Sequence, residues 1–315
     1  MQRRKRAVVA VGGNSLILDA SHESIPDQFE AAKITSRYIV DMVEEGWDIV
    51  VTHGNGPQVG FILRRSELAI NEVSPVPMDY AGADIQGAVG YMFQKALRNE
   101  LKSRGHSSDV ATVVTQTLVD RADPAFDDPS KPIGTYMTEQ TARKLSSEQG
   151  WVVRDDAGRG WRRMVPSPAP ARVVELEVIK TLNAAGILVI CCGGGGIPVV
   201  EDDDGSLHGV EAVIDKDLAS SVLAADLCAE LLVISTGVPK VALNFNTPEQ
   251  LWLDSVSLDQ ARAYFAQGHF LKGSMEPKMR GIISFLENGG ARAIVTNPEN
   301  LGRALKGETG SHFSR

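Results

Sequence analysis

The feature that most constrains this chain is a repeated unit: a short apolar run, a glycine-bearing turn, then a stretch with helical periodicity. Ala7 to Val11 runs into Gly12-Gly13, Asp48 to Thr52 into His53-Gly54-Asn55-Gly56, and Ile187 to Ile190 into Gly193 to Gly196. Helical periodicity marks Pro26 to Glu45, a segment from Gln58, Ala83 to Ser103, Val173 to Ala185, Asp217 to Leu227 and Pro277 to Asn288. Further apolar runs fall at Val110 to Thr115, Leu231 to Ile234 and Ala293 to Thr296. Apolar strands that do not alternate are buried on both faces. With helices between them, they predict an α/β fold whose mostly parallel sheet is covered by helices on each side.

The chain of 315 residues is 43% hydrophobic, ample for one large domain or two lobes. A net charge of −8 argues against a broad basic face, and so against nucleic-acid binding by bulk charge. No apolar run has transmembrane length, and the stretch after Met1 to Arg6 is too short for a secretory leader. A soluble cytoplasmic protein with no membrane partner is expected. Cys191, Cys192 and Cys228 lack metal-type spacing and are expected to be small buried hydrophobes in a reducing compartment.

Residues 115–170 break the rhythm. They are rich in Asp and Pro, and they carry two short aromatic-bearing runs, Trp151 to Arg154 and Trp161 to Val165, around the turn Asp155 to Gly160. A β-hairpin is predicted there. The section reads as an inserted subdomain within a single domain spanning residues 1–315. Both a lid and a mere decoration fit its pattern.

Chemistry concentrates in the turns. Glycines let backbone N–H groups approach an anion closely. Gly12-Gly13-Asn14 and Gly54-Asn55-Gly56 are candidate substrate loops, and Gly194, Gly195 and Gly196 are candidate phosphate contacts. Pro57 and Gln58 lead from the second loop into a helix, whose free N–H groups suit an anion. His53 is expected to serve as a structural hydrogen-bonding group, since nothing near it in sequence orients a base. Lys216 stands between Asp215 and Asp217 at a helix start, flanked by apolar residues. An aspartate beside a lysine fixes the ammonium group and keeps it charged, as phosphate binding requires. Lys278, just after Pro277, is a second candidate cation, and Lys131 in Ser130-Lys131-Pro132-Ile133-Gly134 is a third from the inserted section. The combination suggests phosphoryl transfer. Neither a Walker-type loop, nor the glycine loop of protein kinases, nor a dinucleotide fingerprint is present.

Taken in order, His53 to Gly60, Lys131-Pro132-Ile133-Gly134, Asp156-Ala157-Gly158-Arg159-Gly160-Trp161-Arg162-Arg163, Val165-Pro166-Ser167-Pro168, Gly193 to Val199, Ala212 to Ala219 and Gly273 to Lys278 resemble carbamate kinases of the amino-acid-kinase superfamily. The resemblance runs from about Val8 to Gly310. It implies a three-layer αβα sandwich with a protruding subdomain, a homodimer, and reversible transfer between carbamoyl phosphate and ADP to give ATP and carbamate. Mg²⁺ would be carried by the nucleotide, with no metal ligands from the protein. By similarity the small anion sits between Gly12-Gly13-Asn14 and Gly54-Asn55-Gly56. Lys216 and Lys278 neutralise the phosphoryl group, Asp217 orients them, and Lys131 swings in from the subdomain. Thr236, Gly237 and Val238 occupy a nucleotide loop that in many superfamily members reads Thr-Asp-Val-Asp; here it is Thr236-Gly237-Val238-Pro239, without the two acids.

Two further readings compete. One is a kinase of another small carboxylate or amino acid, which a substrate panel separates. The other is a non-catalytic nucleotide-binding homologue, which predicts loss of the lysines or glycine turns. None of these is lost.

Overall fold

The computed structural model describes residues 5–13, 16, 22–156 and 158–315. Its spine is an eight-stranded sheet. In spatial order the strands are Ser255–Ser257, Ser311–Ser314, Arg292–Thr296, Leu231–Ser235, Lys5–Val11, Trp47–His53, Leu188–Cys191 and Val110–Thr112. Every neighbouring pair is parallel except Arg292–Thr296 with Ser311–Ser314.

The central strand shows why the sheet sits between two helical layers. Ala7 to Val11 have no exposed surface. Successive side chains point to opposite faces. Ala7, Val9 and Val11 join one core with Val51, Val233 and Ile294, under the helices Ile25–Glu44 and Met78–Ser103. Val8 and Ala10 join the other with Val50, Leu232 and Val295, under Lys216–Asp226, Leu258–Ala266 and Met275–Glu287. This is the expected αβα sandwich.

Local signals set most boundaries. Ser24 caps Ile25–Glu44 in a reciprocal box with Asp27, and Pro26 lies in the first turn, where its missing N–H is not needed. Met275–Glu287 begins two residues before the expected Pro277 for the same reason: a first-turn proline does not interrupt a helix. Met78–Ser103 begins five residues earlier than expected. Its glycines weaken the helical signal, yet Gly90 is needed for close packing, because a Cβ there would lie 2.3 Å from Thr112 Cγ2. The segment expected as a helix from Val173 is split: Pro170–Val173 is a strand, and the helix is Leu176–Ala184.

The inserted section is divided between two smaller sheets. Gln116–Val119 and Pro170–Val173 belong to a four-stranded sheet with Ile197–Glu201 and Leu207–Gly209. Gln116 to Leu118 pair in parallel with Ile197 to Val199, a long-range match invisible to local patterning. The predicted hairpin is present as Val152–Asp155 against Trp161–Val165, and Lys131–Met137 completes its three-stranded sheet. This sheet approaches the body at helix Gln58–Leu68, where a Cβ on Gly60 would sit 3.2 Å from Gly134 Cα. No described helix is long and apolar enough to cross a membrane. Cys191 and Cys192 are buried as expected, but Cys228 is exposed. It follows the last turn of Lys216–Asp226 at φ 50°, where the chain reverses at the surface.

Candidate active site

Parallel strands deliver their C-terminal ends to one edge of a sheet, and the loops that leave them meet there. Gly12-Gly13 follows Lys5–Val11, Gly54 to Pro57 follow Trp47–His53, Gly193 to Gly196 follow Leu188–Cys191, and Thr236 to Pro239 follow Leu231–Ser235. The loops are packed against one another. A Cβ on Gly13 would lie 3.0 Å from Gly56 O, one on Gly12 2.7 Å from Ser235 O, and one on Gly194 2.5 Å from Asn55 Nδ2.

Between them lies a cavity of about 360 Å³, lined by Gly13, Gly54, Asn55, Gly56, Gly194, Lys131, Lys216, Asp217 and Lys278, with Asp215, Arg162, Gly273 and Ser274. The structure thus brings Lys216, Lys278, Asp217 and Lys131 together from three distant parts of the chain. Asn14 lies outside the described residues. Gly12 is set behind the cavity wall against Ser235. Gly195 and Gly196 do not line the cavity: their φ values are +92° and +90°, and a Cβ would meet Ile214 O at 2.5 Å and Thr117 Oγ1 at 2.0 Å. Their glycine character serves tight packing behind Gly194.

The charged centre is built on helix Lys216–Asp226. Asp215 is its N-cap: Oδ1 accepts from the Asp217 backbone N–H at 2.9 Å, while Oδ2 accepts from Lys131 Nζ at 2.9 Å. Asp217, with a side chain only 3% exposed, accepts from Lys216 Nζ on one oxygen and from Lys278 Nζ at 2.9 Å on the other. Lys278 also donates to Ser274 O at 3.3 Å. Three ammonium groups therefore face two carboxylates, an arrangement that favours an anionic ligand. Burial pushes the Asp217 carboxyl up, but Lys216 and Lys278 outweigh it and hold its pKa at about 2. Burial, with repulsion from Lys278, lowers Lys216, and Asp217 opposes that shift.

His53 is 1% exposed and donates from Nδ1 to Gly54 O at 2.8 Å, a bond that selects the Nδ1–H tautomer. Burial drives its pKa down to about 4, and nearby Lys216 adds to the shift. A neutral imidazole stacked near Phe93 suits the structural role expected for it.

Thr236, Gly237 and Val238 line a second cavity of about 230 Å³ with Phe245, Phe270, Leu271 and Met275. Ser274 belongs to both cavities, so the two are adjacent. Phe245, Phe270 and Leu271 in this apolar wall come from loop segments with no periodicity to read, while Met275 opens helix Met275–Glu287. Asp215 was unassigned, although an aspartate directly before a helix is a capping signal. Among the described residues no group of three or more His, Cys, Asp or Glu side chains is placed to hold a metal ion.

An αβα sandwich with glycine loops and partly buried lysines gathered beside the strand ends defines a class of phosphoryl-transfer protein. The chain belongs to the amino acid kinase family, whose model matches residues 5–297. Within that family it groups with the carbamate kinases. It is 47% identical to carbamate kinase of Pyrococcus horikoshii over 98% of this chain and 99% of that one. It is also 47% identical to the carbamate kinase-like protein YahI of Escherichia coli, over 98% and 99% of the two chains. Among solved structures, carbamate kinase from Giardia lamblia bound to AMP-PNP superposes with a TM-score of 0.94 at 39% identity, over 100% of this chain and 99% of that one.

Proposed function

We infer that this protein is a carbamate kinase, catalysing reversible phosphoryl transfer between carbamoyl phosphate and ADP to give ATP and carbamate. The observation that carries the reading is the pair Lys216 and Lys278, clamped on the two oxygens of the buried Asp217 beside a glycine-lined cavity. The bond from phosphorus to the carbamate oxygen breaks as the bond to the ADP β-phosphate oxygen forms, and both leaving and attacking groups are already anionic. Little base help is needed, so catalysis rests on positioning and fixed positive charge. Lys216 and Lys278 neutralise the moving phosphoryl group. Asp217 holds both ammonium groups in place, and its low pKa prevents it from taking their protons. Gly13 and the backbone from Gly54 to Gly56 receive the small carbamoyl end.

The second cavity suits the nucleoside: its apolar wall offers stacking surface, and it adjoins the lysines at Ser274. Mg²⁺ accompanies the nucleotide as part of the substrate and offsets charge on its phosphates. Consistent with that assignment, each carboxylate oxygen of Asp215 and Asp217 already accepts from a lysine or a backbone N–H. The inserted sheet acts as a lid that carries Lys131, and the working form is a homodimer. Carbamoyl phosphate is an energy-rich mixed anhydride, so net flow runs toward ATP.

The test is ATP formation from carbamoyl phosphate, ADP and Mg²⁺ in a coupled assay, beside a panel of other small carboxylates and amino acids. The panel matters because the carbamate kinase-like relative is as similar as the carbamate kinases. Lys216→Ala should retain its fold by circular dichroism and lose about 10²- to 10³-fold in kcat. A folded parent that ignores carbamoyl phosphate and phosphorylates another acid overturns the assignment.

A further inference from the structure

Arg162 has no part in the scheme above, yet it lines the same cavity as Lys216 and Lys278. It also lines the larger cleft of about 1310 Å³ between the inserted sheet and the loop that contains Gly273. It stands on strand Trp161–Val165 with its side chain 20% exposed. For a guanidinium so covered, it is weakly engaged. Nη1 donates to Asp156 Oδ2 at 3.3 Å and Nη2 to Pro132 O at 3.3 Å, while the buried Nε has no hydrogen-bond partner. A buried cationic donor left unpaired is costly, and an arriving anion relieves that cost.

Its present partner has other donors. Arg159 donates to Asp156 Oδ1 at 2.9 Å, and Tyr136 donates through its hydroxyl to Oδ2 at 3.3 Å. Asp156 therefore stays paired if Arg162 leaves. The Arg162 guanidinium lies 5.3 Å from the centroid of the Tyr136 ring, and a stacked planar cation can pivot over such a face while keeping the contact.

We propose that Arg162 is a substrate contact supplied by the inserted subdomain: it takes two oxygens of carbamoyl phosphate through Nε and one Nη, with Asp156 as the competing acceptor. This rests on the carbamate kinase reading. It adds a planar, two-pronged donor to the point charges of the lysines, which suits a paired-oxygen group better than a lysine does.

The experiment compares the parent with Arg162→Ala and Arg162→Lys at saturating and limiting levels of each substrate. The expected result for Arg162→Ala is a 10- to 100-fold rise in KM for carbamoyl phosphate, on the scale of one lost charge-assisted contact, with KM for ADP within about twofold. Free guanidinium at millimolar concentration should restore part of the loss. Arg162→Lys keeps the charge without the fork and should sit between the two, which preserves the test if the alanine variant unfolds. A rise in both KM values together, or in neither, overturns the proposal. Calorimetric titration of inorganic phosphate reads the contact without turnover, and so separates it from a failure of the kinase reading. Weaker binding by at least tenfold in Arg162→Ala supports the contact, and equal affinity overturns it.

Discussion

A single carboxylate, Asp217, serves two lysines, and that economy shapes the residue scale of the site. Burying one negative charge between two positive ones leaves the trio net positive, so an incoming phosphoryl group completes the neutralisation. His53, packed close by, shows the opposite response to burial. Among the described residues it has no acidic partner, and it stays neutral, with its pKa lowered from 6.5 to about 4. In the unfolded chain the imidazole titrates near its ordinary value, so between those limits the unfolded chain binds more protons than the folded one. Stability contributed by neutral His53 is therefore lost as pH falls through this window. From pH 7.5 to 5 the loss should be about 2 kcal/mol for this group. Urea unfolding of the parent and His53→Gln at both pH values checks it. The parent should lose about 2 kcal/mol more than the variant, and equal losses would remove His53 as the cause.

At the scale of elements, helix Lys216–Asp226 and the inserted sheet are coupled through Asp215. One of its oxygens caps the helix and the other holds Lys131. The cap points the first turn at the cavity, and the ion pair ties the inserted sheet to that same turn. Gly60 against Gly134 forms a second bearing, where an added methyl would force the sheet outward. If the sheet is a lid, ligands that span the cleft should slow amide hydrogen exchange in Lys131–Met137 and Trp161–Val165 by about tenfold or more. ADP alone should do less than ADP with carbamoyl phosphate or an unreactive mimic. Unchanged exchange in both strands would reduce the insertion to a static decoration. The hairpin within it was legible because its aromatic runs flank a turn. Its stems were not, since Gln116–Val119 finds its partner Ile197–Glu201 some eighty residues further along the chain.

At the scale of the whole molecule, the two helices Ile25–Glu44 and Met78–Ser103 pack on one face of the sheet and still present Ile34, Tyr80 and Tyr91 to solvent, the last two more than 60% exposed. Exposed aromatic side chains on a broad helical face suit contact with a second copy. Light scattering at micromolar concentration should return twice the chain mass of 33.9 kDa. A single-chain mass would reject the dimer.

The amino-acid sequence alone determined the αβα class, the order of the main strands and helices, and the residue types of the site. Those properties are local or periodic: unbroken apolar strands, capped helices, and glycine turns at strand ends. Only the tertiary structure decided which of those turns face the cavity. Gly13 and Gly194 line it, while Gly12 and Gly195 pack on neighbouring backbone and Gly196 on the Thr117 side chain behind it. It also decided that Lys131, Lys216 and Lys278 converge on two aspartates, and that an apolar cavity forms beside them around Thr236 to Val238. Convergence of this kind depends on the sheet order and on the packing of loops far apart in the chain. No pattern confined to neighbouring residues encodes it.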